Sequence, residues 1–181
     1  MTIIAAARTS RSVCIGSDSV GTDADGIQED YGSKLLRFEW GAVGLAGQSG
    51  HASLIREALA DSDGFDTKRH ATATMRRVRE ALLDAGCKTG RSGGLPVVDD
   101  FEMLVVGRRG AIWSVNHDLT LLRLRAYTAV GSGAAIGIGA MHALRRSAPA
   151  PDLVEAAVRA AIKHSDSCGG RLHRVTFDLT R

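Results

Sequence analysis

The order of the apolar segments is the feature that most constrains the fold of this chain. Short stretches suited to strands come first, two segments with helical spacing follow, and short strands, two further helices and a closing strand complete the chain. Parallel α/β proteins instead alternate strands and helices along the sequence. The block order therefore predicts an α+β fold in which strands and helices form separate layers.

Hydrophobic periodicity and turn residues set the expected boundaries of these elements. Strands are expected over residues 2–7, 12–18, 34–38, 42–46, 102–106, 111–115, 119–125, 127–131 and 172–179. Helices are expected from about residue 49 or 51, and over residues 72–85, 133–146 and 153–165. The polar, glycine-containing segments 21–32 and 88–99 are expected to be loops.

Length and composition limit the classes of function. The chain has 181 residues, a net charge of +3 and 4% aromatic residues. This length predicts one domain over residues 1–181, with a core that needs no disulfide or metal. Its basic residues form no long run and aromatic residues are few, so no nucleic-acid partner is expected.

The cysteines and the apolar runs bear on where the protein resides. Its 3 cysteines are widely spaced and odd in number, which favours a reducing compartment over a disulfide framework. No signal peptide and no apolar run that could span a bilayer are visible. A soluble protein in the cytoplasm, with no membrane partner, is therefore expected.

Thr2 is the first candidate for chemistry. Methionine aminopeptidase commonly removes Met1 when the next residue is small, which would leave an α-amine and a hydroxyl on the same residue. An α-amine has a pKa of about 7.7–8.0, so it can act as the general base for its own hydroxyl. A threonine at position 2 alone does not indicate this chemistry, and the neighbouring residues decide the interpretation.

Three further residue types needed for acyl transfer follow in order along the first half of the chain. Asp18 ends the second expected strand, Lys34 begins the third, and Gly47 lies between a strand and a helix. The intervals from Thr2 to Asp18 and from Asp18 to Lys34 are both sixteen residues. Asp18 and Lys34 alone would equally suit an ordinary ion pair at strand ends, so the spacing carries the catalytic interpretation.

This ordered set resembles the proteasome β subunits and, more closely, the bacterial HslV-type ATP-dependent peptidases. In that family a mature N-terminal Thr is followed by Asp and Lys at the same spacing, and by an Ala-Gly turn that matches Ala46-Gly47. Gly131-Ser132-Gly133 matches the family's Gly-Ser-Gly, and Asp166-Ser167-Cys168 resembles its Asp-x-Cys, here expected late in the last long helix. The resemblance covers nearly the whole chain.

The resemblance implies a role for each matching residue. Thr2 Oγ attacks the scissile carbonyl, Lys34 lowers the pKa of the Thr2 amine and hydroxyl, and Asp18 orients Lys34. Gly47 N–H stabilises the oxyanion, and Ser132 hydrogen-bonds near the Thr2 amine. Asp166 is assigned to the same catalytic set.

Further positions follow from the same resemblance. Thr22 would line the substrate strand, and Leu45 would form the floor of the pocket for the side chain before the scissile bond. The apolar character of Leu45 suggests tolerance of apolar side chains there. The backbone carbonyls of Ser165, Cys168 and Arg171 would bind a monovalent cation such as Na⁺, and the peptide chemistry itself needs no cofactor.

The implied fold is the four-layer αββα sandwich of N-terminal nucleophile hydrolases, as in proteasome subunits. The implied assembly is a homo-oligomeric double ring, of six- or seven-fold symmetry, that cleaves proteins or peptides and works with a ring ATPase unfoldase. Two alternatives stay open from sequence: a non-catalytic ring or assembly protein that retains Met1, and a small-molecule amide hydrolase of the same superfamily. No propeptide beyond Met1 is expected.

Overall fold

The computed structural model describes residues 2–22, 28–87, 89–92 and 95–179. Its strands are β1 Ile4–Arg8, β2 Ser12–Ser17, β3 Val20–Thr22, β4 Gln28–Asp30, β5 Leu35–Phe38, β6 Gly41–Gly47, β7 Thr89–Ser92, β8 Leu95–Val98, β9 Phe101–Gly107, β10 Ile112–Val115, β11 Leu121–Leu124, β12 Tyr127–Val130 and β13 His173–Asp178. Its helices are α1 His51–Ala60, α2 Lys68–Asp84, α3 Ala134–Leu144 and α4 Ala150–His164.

Two antiparallel sheets form the centre of the molecule. The first has four strands in the order β12-β1-β2-β13, and the second has five in the order β11-β10-β9-β6-β5. Helices α3 and α4 pack on the first sheet, and α1 and α2 pack on the second. The result is the expected four-layer αββα sandwich.

Three apolar clusters correspond to the three interfaces between these layers. Between the sheets, Ile4 and Ile15 pack with Leu104 and Ile112, and all four are fully buried. The two sheets approach closely at Gly44, where an added Cβ would collide with Ile4. Residues of β1 belong both to the inter-sheet cluster and to the cluster under α3 and α4. The N-terminal end of β1 is therefore packed on both faces of the first sheet.

Two segments expected to be loops contain short strands instead. Within 21–32, β3 pairs with β4, and residues 23–27 lie outside the described residues. Within 88–99, β7 pairs with β8. These pairs are short and lack alternation of apolar and polar residues, so sequence periodicity gives no signal for them.

Helix α4 also differs from the expectation. It begins at Ala150 with Pro151 in its first turn, a position where proline fits because its missing N–H is not needed. It ends at His164, so Asp166-Ser167-Cys168 follows the helix instead of lying within it. No helix in the described part of the chain is long and apolar enough to cross a membrane.

Candidate active site

Thr2 and Asp18 meet because β1 and β2 form a hairpin. The register pairs Ile4 with Ser17, which places Thr2 just before β1 beside Asp18 just after β2. Asp18 is fully buried, and its Oδ1 accepts the Ile3 N–H at 3.1 Å. Its Oδ2 accepts the Gly169 N–H at 3.1 Å, so the carboxylate is fixed by backbone donors from two parts of the chain.

Lys34 connects the two residues. Its Nζ lies 2.6 Å from Thr2 Oγ1 and 2.7 Å from Asp18 Oδ1. The Val20 carbonyl accepts from the same Nζ at 2.5 Å. An ammonium has three donors, and these three acceptors orient it toward the Thr2 hydroxyl. The structure therefore brings together Thr2, Asp18 and Lys34.

Burial changes the acidity of Lys34. Its side chain is 12% exposed, and loss of hydration lowers the pKa of the Lys34 ammonium from its ordinary value, while the Asp18 carboxylate acts in the opposite direction. Burial is the larger effect. The ammonium is therefore a stronger acid than in water, which suits a group that donates to a developing alkoxide.

The turn after β12 holds the backbone of Thr2. Ser132 Oγ accepts the Thr2 N–H at 3.1 Å and donates to the Thr2 carbonyl at 3.3 Å. The Gly133 N–H donates to the same carbonyl at 3.2 Å. Gly131 has a φ of 87°, and an added Cβ there would collide with the Thr2 carbonyl oxygen. The Gly-Ser-Gly sequence thus allows this close approach.

Ser167 extends this network, and the sequence did not single it out. Its Oγ donates to Ser132 Oγ at 2.8 Å and lies 2.8 Å from Ser165 Oγ. Asp166 is exposed, and its backbone carbonyl accepts from Gln28 Nε2 at 2.7 Å. Among the described contacts, the neighbour Ser167 and not Asp166 reaches the hydroxyl that holds Thr2.

A cleft with a volume of about 510 Å³ opens beside Thr2. Its lining residues are Thr2, Thr22, Ala46, Gly47, Asp100, Phe101, Glu102, His117, Gly131 and Ser132. Thr22 and Gly47 thus both line the cleft beside Thr2, and Thr22 Oγ1 is buried with no hydrogen-bond partner among the described residues. Leu45 is not among those lining residues, and it packs against the cluster beneath α1 and α2.

The turn after α4 contains the carbonyls expected to bind a cation. The Ser165 carbonyl accepts the Cys168 N–H at 3.2 Å, which leaves it one further lone pair. Carbonyl oxygens are suitable ligands for a hard cation such as Na⁺, so this donor type fits. Cys168 is buried, and burial raises the pKa of its thiol, which disfavours a reactive thiolate.

The solved structures similar to this chain include proteins from Thiobacillus denitrificans and Trypanosoma brucei. The protein BPH from Thiobacillus denitrificans, solved in complex with epoxomicin, has a TM-score of 0.85 and 21% identity, covering 99% of this chain and 100% of that chain. A second structure of BPH has a TM-score of 0.86 and 20% identity, covering 98% of this chain and 98% of that chain. The eukaryotic HslV of Trypanosoma brucei has a TM-score of 0.73 and 16% identity, covering 97% of this chain and 99% of that chain.

These similarities establish the fold of the chain. It is the proteasome-like fold of the N-terminal nucleophile hydrolases, present over nearly the full length of both neighbours. Comparisons with models of known protein families and with curated proteins find no match. The fold prediction is therefore confirmed, whereas the particular HslV branch is not distinguished from other proteasome-like proteins.

Proposed function

We propose that this chain is a threonine-type endopeptidase subunit whose nucleophile is Thr2 after removal of Met1. The observation that carries the proposal is the position of Lys34 Nζ, within hydrogen-bond distance of both Thr2 Oγ1 and Asp18 Oδ1. This arrangement combines a hydroxyl, a cation that polarises it and a buried carboxylate that orients the cation. With Met1 attached, the Thr2 nitrogen is an amide and cannot act as a base.

The proposed reaction uses these groups in two steps. Thr2 Oγ adds to the scissile carbonyl carbon while the α-amine, through a water molecule, takes the hydroxyl proton. Gly47 N–H stabilises the tetrahedral oxyanion, and the C–N bond breaks when the departing amine receives the proton. A water molecule then hydrolyses the ester, which releases the acyl product and restores Thr2. Lys34 stabilises negative charge on Thr2 Oγ in both steps.

The proposed setting is a self-compartmentalised complex in the cytoplasm. We infer stacked homo-oligomeric rings that degrade proteins or peptides with the aid of a ring ATPase. The likeness to the HslV of Trypanosoma brucei supports this assembly. A Na⁺ ion at the turn after α4 would order that turn, and Ser165, Cys168 and Arg171 carbonyls would hold it.

Intact mass and covalent labelling test the nucleophile. A peptide epoxyketone can form two bonds at an N-terminal threonine, because the hydroxyl adds to the ketone and the amine opens the epoxide. Both steps are additions, so we expect the Met1-free protein to gain the whole mass of the inhibitor at Thr2. Peptide hydrolysis should stop as labelling proceeds. Protein that retains Met1, takes up no inhibitor and cleaves no peptide would contradict the proposal.

Ser132 and Ser167 offer a graded test of the network behind the amine. Ser132→Ala removes the acceptor of the Thr2 N–H, and we expect kcat/KM to fall by about 10-fold, the scale of one lost hydrogen bond to a polar or charged group. Ser167→Ala removes the donor to Ser132 Oγ and the contact with Ser165 Oγ but leaves the Thr2 N–H its acceptor, so its effect should be smaller. Peptide hydrolysis measures both, and Ser147→Ala at an exposed helix end is the matched control. A larger effect from Ser167→Ala would contradict the proposed order.

A further inference from the structure

Two carboxylates line the cleft beside Thr2. Asp100 directly precedes β9 and Glu102 is the second residue of that strand. Both contribute to the cleft lining, and the described residues of that lining include no Lys or Arg. Among the described residues, neither carboxylate takes part in an ion pair. The cleft therefore carries a net negative charge, and a concave surface of one sign concentrates its field in the cavity.

Nearby basic groups do not cancel this charge. Lys34 Nζ forms a 2.7 Å ion pair with the fully buried Asp18, so the two act as a nearly neutral unit. His51 lies near Asp100, and burial lowers the pKa of the His51 imidazole despite that carboxylate. His51 is therefore neutral at neutral pH. His117 also lines the cleft, where it is exposed.

The Glu102 carboxylate and the Asp100 backbone are held in place before any ligand binds. Glu102 Oε2 accepts the Gly131 N–H at 2.8 Å, which ties β9 to the turn that holds Thr2. Asp100 has a φ of 52° in the turn between β8 and β9, and its carbonyl accepts the Gln48 N–H at 3.2 Å. The Glu102 charge is fixed in advance, so it loses little conformational entropy when a ligand pairs with it.

We propose that Asp100 and Glu102 make this cleft selective for peptides with a cationic side chain, arginine or lysine, next to the scissile bond. The cavity of about 510 Å³ lies within the usual range of ligand pockets. A guanidinium can donate a planar pair of hydrogen bonds to a carboxylate. This selectivity rests on the proposed function, since the cleft is the substrate site only if Thr2 is the nucleophile.

The apolar preference suggested by Leu45 is the competing expectation. In the structure Leu45 packs against the cluster under α1 and α2, whereas Asp100 and Glu102 are among the residues that line the cleft. We therefore expect the charge of the lining residues to outweigh the apolar character of Leu45, which does not line the cleft. A leucine peptide is accordingly included in the comparison below.

Binding to the Thr2→Ala variant tests selectivity separately from catalysis. A series of fluorescent peptides would contain one target bond, and the two positions on each side of that bond would be varied one at a time. The residue at the varied position would be arginine, its neutral isostere citrulline, leucine or glutamate. We expect arginine to bind about 10–100-fold more tightly than citrulline at one position, the scale of a charge-assisted hydrogen bond. The preference should weaken as salt rises. The same peptides are then tested for hydrolysis by the Met1-free protein with Thr2 intact.

Charge-neutral variants identify the residues responsible. Asp100→Asn and Glu102→Gln should each reduce the arginine-to-citrulline ratio, and the double variant should bring it near one. Gln keeps an oxygen for the Gly131 N–H, so Glu102→Gln separates charge from positioning. Asp99→Asn removes an adjacent carboxylate outside the lining and should keep the ratio.

The outcomes separate the two proposals. Equal binding of arginine and citrulline peptides at every position overturns the selectivity, whether or not peptides are cleaved. A ratio unchanged in the double variant also overturns the assignment to Asp100 and Glu102. Arginine-selective binding without hydrolysis of any peptide keeps the selectivity and overturns the peptidase function.

Discussion

Thr2→Ala is expected to reduce peptide hydrolysis by at least about 10³-fold, the scale of removing a catalytic nucleophile. Alanine keeps the α-amine and the backbone contacts of Thr2 with Ser132 and Gly133, but it has no hydroxyl for Lys34 to polarise. Thr2→Ser keeps the hydroxyl and should retain measurable hydrolysis. The measurement is kcat/KM on a peptide substrate together with covalent labelling by an epoxyketone.

Three controls make the comparison of these variants decisive. Intact mass must show that Met1 is removed from each variant, because a retained Met1 would itself abolish the amine base. Thr120→Ala removes a threonine hydroxyl in an exposed turn, where it donates to Asp118, and should behave as the unaltered protein. Sedimentation should show the same assembly for all. Hydrolysis by Met1-free Thr2→Ala at the rate of the unaltered protein would refute the proposed nucleophile.

The part of the site that could be predicted from sequence is the part built by one hairpin and the strand that follows. Once β1 and β2 pair with Ile4 opposite Ser17, Asp18 must lie beside Ile3, and its spacing from Thr2 follows. Lys34 stands directly before β5. This strand belongs to the second sheet, which faces the sheet that contains β1. The spacing of Thr2, Asp18 and Lys34 along the chain is therefore enough to predict that they lie close together.

The remaining contacts join segments far apart in the chain. Ser132 and the Thr2 N–H are separated by 130 residues, and Glu102 and the Gly131 N–H by 29. No local periodicity marks Glu102 or Ser167 as members of the site. Glu102 becomes one when the two sheets pack, and Ser167 when the turn after α4 meets the turn after β12. The serine network and the negative charge of the cleft can therefore be identified only from the tertiary structure.

Lys34→Ala is expected to lower kcat/KM by about 10²–10⁴-fold, the scale of a positioned proton-transfer or polarising group. The variant removes the ammonium from 2.6 Å beside Thr2 Oγ1 and leaves the buried Asp18 carboxylate without its cation. Circular dichroism and the assembly state must accompany the kinetics, since an unpaired buried charge also costs stability. Activity equal to that of the unaltered protein would show that Lys34 has no catalytic role.

The pH dependence of the unaltered protein and of Asp18→Asn distinguishes a catalytic role from a structural one. Because burial lowers the pKa of Lys34 below its ordinary value of 10.5, kcat/KM should fall at alkaline pH below that value, as the ammonium loses its proton. The Asp18 carboxylate raises the pKa of Lys34. Its neutralisation in Asp18→Asn should therefore move the alkaline limb to lower pH.

An exposed carboxylate provides the matched control for this shift. Asp30 pairs with Arg171 at the surface, so Asp30→Asn removes one negative charge without touching Lys34 and should keep the alkaline limb in place. The profile of kcat/KM reports ionisations of the free enzyme, so substrate binding does not mask the effect. An Asp18→Asn limb that stays in place or moves to higher pH would mean that Lys34 is not the group whose protonation supports the nucleophile.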